Sequence, residues 1–278
     1  MSVVLAPRAV DDSSLMARLP LARIGSAAHL APPVIAAIWI GAPVFGLMVV
    51  AGSVLLAREW RRMCGADESA AIGWLFVCGL PLAIGLAAFD LVGISLVGLA
   101  AVGLVLLIAG RGFSWLSFGI FYLGVPCVLL IWLRADPIDG RETVLWLFLV
   151  VWASDIGAYL AGRSIGGPKL APGISPNKTW SGALGGVAAA AAVGAAMATA
   201  FAHEHPLRAL LLAAVFSVFA QAGDLAESRI KRRFDIKDTG GLIPGHGGLL
   251  DRVDALLIAA LAMGLLTAVR QGSILAWT

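Results

Sequence analysis

Between Gly223 and Asp254 the chain reads GDLAESRIKRRFDIKDTGGLIPGHGGLLDRVD, a block that collects carboxylates, ammonium and guanidinium groups, an imidazole and several glycines. Asp251 and Asp254 are three apart, so on a helix they share a face, and Asp251 near the helix start gains from the dipole. Taken alone, that pair reads better as ordinary charge at a helix N-terminus. Asp224 stands at the other border of the block, and Asp155 lies upstream inside LFLVVWASDIGAYLAG. A carboxylate in so apolar a run needs a cation or a wet cavity beside it. Hard carboxylate oxygens next to several Lys and Arg side chains are what a divalent cation and a polyphosphate jointly require. Asp224, Asp251, Asp155 and Asp254 are therefore the candidate metal ligands.

Gly245, Gly247 and Gly248 surround His246 directly ahead of an apolar run. Glycines let backbone N–H groups approach an anion at a helix N-terminus, where the dipole adds attraction. Lys231, Arg232, Lys237 and Arg252 flank this turn and suit phosphate oxygens. The KRR run also fits an anchor to anionic headgroups. His246 reads as a phosphate donor, with a structural hydrogen bond as the alternative. A second polar island, GRSIGGPKLAPGISPNKTWSG, offers Ser175, Lys178 and Thr179 in one tight turn, where Pro172 and Pro176 exclude regular helix. It is either a second phosphate clamp or a solvated connector. His203 and His205 read as loop residues, and Cys64, Cys78 and Cys127 as reduced packing residues without a metal or disulfide role.

The elements that must position these groups are membrane helices. The chain is 60% hydrophobic and only 13% charged, with a mean hydropathy of +0.92. A soluble surface needs about a quarter of its residues charged, so a soluble domain is excluded. Residues 1–23 break their apolar runs with Arg8, Asp11, Asp12 and Arg18, which leaves no signal-peptide core and reads as a cytoplasmic tail. A span needs about 20 mainly apolar residues. Such runs lie at 70–89, 91–109, 113–133, 143–162, 182–202, 207–223 and 253–269. The longer run Ile24–Ala57 is interrupted by Pro32, Pro33, Gly41 and Pro43 and splits into two spans turning near Gly41.

The expectation is an all-α polytopic membrane bundle of about nine transmembrane helices with a cytoplasmic N-terminus. With that count, 16 of the 20 Lys and Arg fall on the cytoplasmic side, the bias that membrane insertion favours. Residues 24–140 form the N-terminal helices. Residues 141–278 form the catalytic region, with cytoplasmic loops at 163–181 and 224–252. The Gly- and Ala-rich run Gly182–Ala202 suits close helix packing, within the chain rather than as a dimer seam.

Ser228-x2-Lys231-Arg232-x4-Lys237-Asp238-x5-Pro244-x-His246-Gly247-Gly248-x2-Asp251-Arg252-x-Asp254 resembles the defining pattern of the phosphatidate cytidylyltransferases, or CDP-diacylglycerol synthases, at every fixed position. SDIGAYLAGRSIGG and SPNKTWSG are similar to other blocks of that family, and the resemblance runs from Val144 to the C-terminus. Two positions depart: Asn177 stands for a usual Lys and Ser181 for a usual Glu, so neither side chain is expected to be essential.

The resemblance implies transfer of cytidylyl from CTP to phosphatidate with release of pyrophosphate, dependent on Mg²⁺, in the inner membrane with the site facing the cytoplasm. It implies Asp224 and Asp251 as Mg²⁺ ligands with Asp155, Asp238 and Asp254 nearby. Lys237, His246 and Arg252 stabilise developing charge, and Asp238 joins them as a catalytic candidate. Ser175, Lys178, Thr179, Ser228, Lys231, Arg232, Gly247 and Gly248 position CTP phosphates or the lipid head. The membrane lipid bilayer is a partner, a homodimer is implied, and no nucleic acid is expected. Two alternatives are a cytidylyltransferase acting on an isoprenoid ether-lipid phosphate and, in a different class, an ion-coupled transporter. A CDP-alcohol phosphotransferase is excluded, because Asp139-Gly140-Arg141 lacks the downstream carboxylates that chemistry needs.

Overall fold

A computed structural model describes residues 31–65, 71–109, 114–201, 203–240, 247–273 and 275. The N-terminal tail and His246 lie outside the described residues. Among the described residues nine helices follow one another: α1 (Ala31–Ile40), α2 (Ala42–Met63), α3 (Ala71–Ala87), α4 (Val92–Ala109), α5 (Trp115–Ala135), α6 (Gly140–Ser164), α7 (Trp180–Ala200), α8 (Pro206–Arg233) and α9 (Leu250–Arg270). Seven are long and apolar enough to cross a membrane; α1 and α3 are shorter. The chain is a multi-pass helical membrane protein. The break expected near Gly41 is present: Gly41 has φ +149, a conformation open to glycine but strained for other residues, and Pro43 follows at the start of α2.

Two apolar cores hold the bundle. One gathers Trp146, Phe148, Phe216 and Met263 from α6, α8 and α9. The other gathers Trp60, Phe76, Leu80 and Ile120 from α2, α3 and α5. α5 packs on both α2 and α9 and so joins the halves. Ile94, Val97, Leu104 and Ile108 of α4 are exposed, as suits a face turned to lipid.

α6 and α7 approach through glycines. A Cβ at Gly157 would sit 2.7 Å from the Gly185 carbonyl oxygen, and one at Gly186 would sit 2.8 Å from the Ser154 carbonyl oxygen. The small residues of α7 are thus used inside the chain, as their composition suggests.

Long-range contacts fix the parity of the helices. Trp60 near the end of α2 donates to the carbonyl of Trp115 at the start of α5, 2.8 Å away, and Glu59 reaches the start of α9. At the opposite end Thr143 of α6 pairs with Ser273 beyond α9 at 3.0 Å. The ends of α2, α6 and α8 therefore share one side with the starts of α5, α7 and α9.

Both expected polar loops contain regular structure. Lys169–Ala171 (β1) and Ser175–Thr179 (β2) pair as an antiparallel ribbon. Residues 224–233 continue α8 by ten residues past the apolar run, with Asp224, Glu227, Ser228 and Lys231 on one face and Arg229, Arg232 and Arg233 exposed.

Candidate active site

The end of α8 carries Asp224, Glu227, Ser228 and Lys231, spaced so that all four share a face. Gly223, just ahead of them, permits α9 to approach: a Cβ there would lie 2.8 Å from the Asp254 carbonyl oxygen. Lys231 joins the two helices, its Nζ lying 2.7 Å from Asp251 Oδ1 and 2.6 Å from Glu227 Oε2. Glu227 Oε1 has no hydrogen-bond partner among the described residues although the side chain is 1% exposed.

Asp251 occupies the first turn of α9, where N–H groups are not yet used by the helix. Its Oδ2 accepts from Gly248 N–H at 2.7 Å, Thr239 N–H at 3.0 Å and the Thr239 hydroxyl at 3.1 Å. Gly247 makes that cradle possible. Its φ is +79, and a Cβ on it would stand 2.6 Å from Asp251 Oδ2.

Across the groove, Lys178 of β2 forms an ion pair with Asp224 of α8. Asp155 of α6 is exposed and lies in the fields of Asp224, Lys178 and Arg252. Asp254 is buried and lies among Asp224, Glu227 and Asp155. The four carboxylates expected from sequence thus meet at one end of the bundle. An accessible rim (Asp155, Asp224, Lys178) stands over a deeper pair of acids (Asp251, Asp254).

Five carboxylates, counting Glu227, face the nearby cations Lys178, Lys231 and Arg252. That excess of negative charge, with a buried Glu227 oxygen unpartnered among the described residues, suits a hard cation. No trio of carboxylates among the described residues closes on a single point. Mg²⁺ is commonly held by one or two carboxylates completed by water and substrate phosphates, so the donor set fits it.

The remaining expected residues distribute differently. Lys237, Asp238, Arg232 and Arg252 are exposed, and Asp238 borders Gly247. The Ser228 hydroxyl sits 3.4 Å from Asp224 Oδ1, and Ser175 is half-buried on β2. Thr179 is buried, and its hydroxyl caps α7 by accepting Gly182 N–H at 3.1 Å. Ser181, where the family pattern has Glu, donates to the Gly166 carbonyl and so ties the end of α6 to α7.

Three site residues escaped the sequence reading. Glu227 sits in plain view in GDLAES, four residues before Lys231, the helical spacing of an ion pair. Tyr122 of α5 stacks on Phe118 with centroids 5.5 Å apart. Its buried hydroxyl has no hydrogen-bond partner among the described residues, and it lies in the fields of Asp254, Glu227 and Asp224. Glu59 of α2, 5% exposed, accepts from Leu249 N–H and Leu250 N–H at 2.8 Å each. Nothing in AREWRR marks it out from surface charge.

A helical membrane bundle whose helix ends gather acids and lysines from α6, β2, α8 and α9 defines an integral membrane protein with a clustered ionic site. Residues 21–269 match the model of the cytidylyltransferase family, and the chain belongs to that family; it is a nucleotidyltransferase. It is 41% identical over 236 residues to a phosphatidate cytidylyltransferase of Brucella suis biovar 1 (strain 1330), covering 83% of this chain and 87% of that protein. A phosphatidate cytidylyltransferase of Rickettsia bellii (strain RML369-C) is 37% identical over 153 residues, 52% of this chain and 66% of the relative. The Bacillus subtilis (strain 168) phosphatidate cytidylyltransferase is 39% identical over 145 residues, 52% and 54% of the two chains.

Proposed function

We propose that this chain transfers the cytidylyl group of CTP to phosphatidate at the cytoplasmic face of the inner membrane, forming CDP-diacylglycerol and pyrophosphate. The observation that carries this reading is the meeting of Asp155, Lys178, Asp224, Lys231, Asp251 and Asp254 from α6, β2, α8 and α9 at one end of the bundle. The cytoplasmic orientation is supported by the positive charge that accumulates at that end.

An oxygen of the lipid phosphate attacks the α-phosphorus of CTP in line, and the bond to the β-phosphate bridging oxygen breaks. No general base is needed, because the lipid phosphate is ionised at neutral pH. The protein's task is to bring two anions together and offset their repulsion. Asp224 and Asp251 would hold Mg²⁺, with Asp155, Asp238 and Asp254 close by. When bound, Mg²⁺ supplies charge neutralisation on the phosphate oxygens. Lys237, His246 and Arg252 stabilise charge on the transferred phosphoryl and the leaving pyrophosphate. Lys178, Ser175, Ser228, Lys231 and Arg232 steer the phosphates, while Gly247 and Gly248, expected to bind substrate, instead leave room for the Asp251 and Glu59 carboxylates. Thr179 acts through the start of α7 on which the β-ribbon hangs.

Acyl chains stay in the leaflet while the phosphate reaches the headgroup level, which supports a site at the helix ends. The homodimer implied by the family resemblance is a separate proposal, tested by molar mass in detergent. Purified protein given labelled CTP, phosphatidate and Mg²⁺ should yield a lipid-extractable cytidine label and free pyrophosphate. Label that stays in the aqueous phase with phosphatidate, but enters lipid with an isoprenoid ether-lipid phosphate, would replace the proposed acceptor.

A further inference from the structure

Asp251 can serve the reaction only if α9 begins in the right place, and the group that fixes this start comes from the other half of the chain. The first N–H groups of any helix lack intrahelical partners and attract an anion. At α9 they are shared between two carboxylates. Asp251 takes the Gly248 amide, and Glu59 of α2 takes the next two, Leu249 N–H on Oε1 and Leu250 N–H on Oε2, both at 2.8 Å. Thr239 stands between the acids. Its hydroxyl lies 3.1 Å from Asp251 Oδ2 and 3.4 Å from Glu59 Oε2, and it donates to the nearer. Gly248 completes the fit, since a Cβ there would come within 2.6 Å of Glu59 Oε2.

We infer that Glu59 is a positioning residue: its two carboxylate oxygens pin the start of α9 and thereby set Asp251, so that the N-terminal helices take part in the reaction rather than only anchoring the chain. This deepens the proposed function and rests on it for the role of Asp251. Glu59 is buried, touches no reacting group and has its lone pairs committed to backbone amides, which is the geometry of a support. A carboxylate is required because two donors need two acceptors. Glutamine has the same shape but offers one acceptor and turns an N–H₂ toward the second amide.

The test uses the full chain in detergent or nanodiscs. Glu59→Gln should lower kcat about 10- to 100-fold, the usual cost of losing a group that orients a ligand residue, while KM for CTP changes less than about threefold, as for a loss that falls on the reaction step rather than on uniform binding. Hydrogen exchange at the Leu249 and Leu250 amides should accelerate, and Mn²⁺ binding, followed by its EPR signal without substrate, should weaken.

A packing role alone would leave this isosteric variant like wild type, and wild-type kcat would overturn the inference. So would faster exchange at 249 and 250 with normal turnover, or lost turnover with unchanged exchange. If Glu59→Gln fails to fold, Glu59→Asp decides: it keeps the charge but is too short to span both amides, so kcat should fall by about tenfold with faster exchange at 249 and 250, and unchanged kcat would count against the inference. A wild-type chain inactive on phosphatidate would overturn the proposed acceptor. The Glu59 inference would then be settled by exchange and Mn²⁺ binding.

Discussion

Lys231 Nζ and Asp251 Oδ1 lie 2.7 Å apart and form a direct charge link between α8 and α9. Both side chains are largely buried, at 13% and 9% exposure, so water screens the pair poorly. Removing one partner of a buried pair leaves the other uncompensated, at a cost of about 3–5 kcal/mol. Lys231 also holds Glu227, so Lys231→Met strands two acids. The expected result is a clear fall in melting temperature in detergent together with loss of turnover. A Lys231→Met protein as stable as wild type would show that the link carries no structural weight.

Asp251 is held by four donors, two backbone amides, a hydroxyl and an ammonium. Asparagine keeps the volume and the acceptor oxygen but removes the negative charge. Asp251→Asn should insert and fold, bind Mn²⁺ at least about tenfold more weakly, and lose CDP-lipid formation. Turnover within a few-fold of wild type would remove Asp251 from the metal role proposed for it.

The span positions were readable because lipid leaves only one solution for the backbone and imposes a long apolar run on each helix; α4 was expected at 91–109 and is Val92–Ala109. The last turns of α8 were not readable in the same way. The polar residues there divide between the site face and exposed arginines, so a hydropathy scan stops at Gly223 although the helix continues to Arg233. Asp155 was legible as an acid out of place in an apolar run, and Asp224, Asp251 and Asp254 as carboxylates set beside several Lys and Arg. Glu59 was not, because its role depends on a partner helix 190 positions away in the chain, and no local spacing encodes that distance. The β-ribbon was likewise hidden, since the two prolines exclude helix without indicating a strand.

Gly247 shows what a missing side chain contributes. Its φ of +79 already favours glycine, and the absent Cβ would stand 2.6 Å from the Asp251 carboxylate. Gly247→Ala strains the turn by about 1 kcal/mol, a small loss of stability, but it pushes directly on the carboxylate proposed to hold the cation. Turnover should therefore fall far more than melting temperature. Comparable activity in the Gly247→Ala protein would mean that the cradle tolerates displacement and that Asp251 need not sit where it does.

Asp155 owes its position to the tightest helix contact in the catalytic half. Two residues further along α6, Gly157 packs on α7 with no room for a Cβ, the Gly185 carbonyl oxygen lying 2.7 Å from where it would be. Gly157→Val must push α6 from α7, and overpacking of this kind costs about 1–3 kcal/mol. Because α7 begins at the Thr179 cap and the β-ribbon carries Lys178 immediately before it, the displacement separates Lys178 and Asp155 from Asp224 as well. Gly157→Val should accordingly lower both melting temperature and affinity for CTP, whereas an exposed glycine such as Gly93, with open space around its Cβ position, should accept alanine without either effect. If Gly157→Val lost stability but bound CTP like wild type, the α6–α7 contact would be architectural only, and Asp155 would not depend on it.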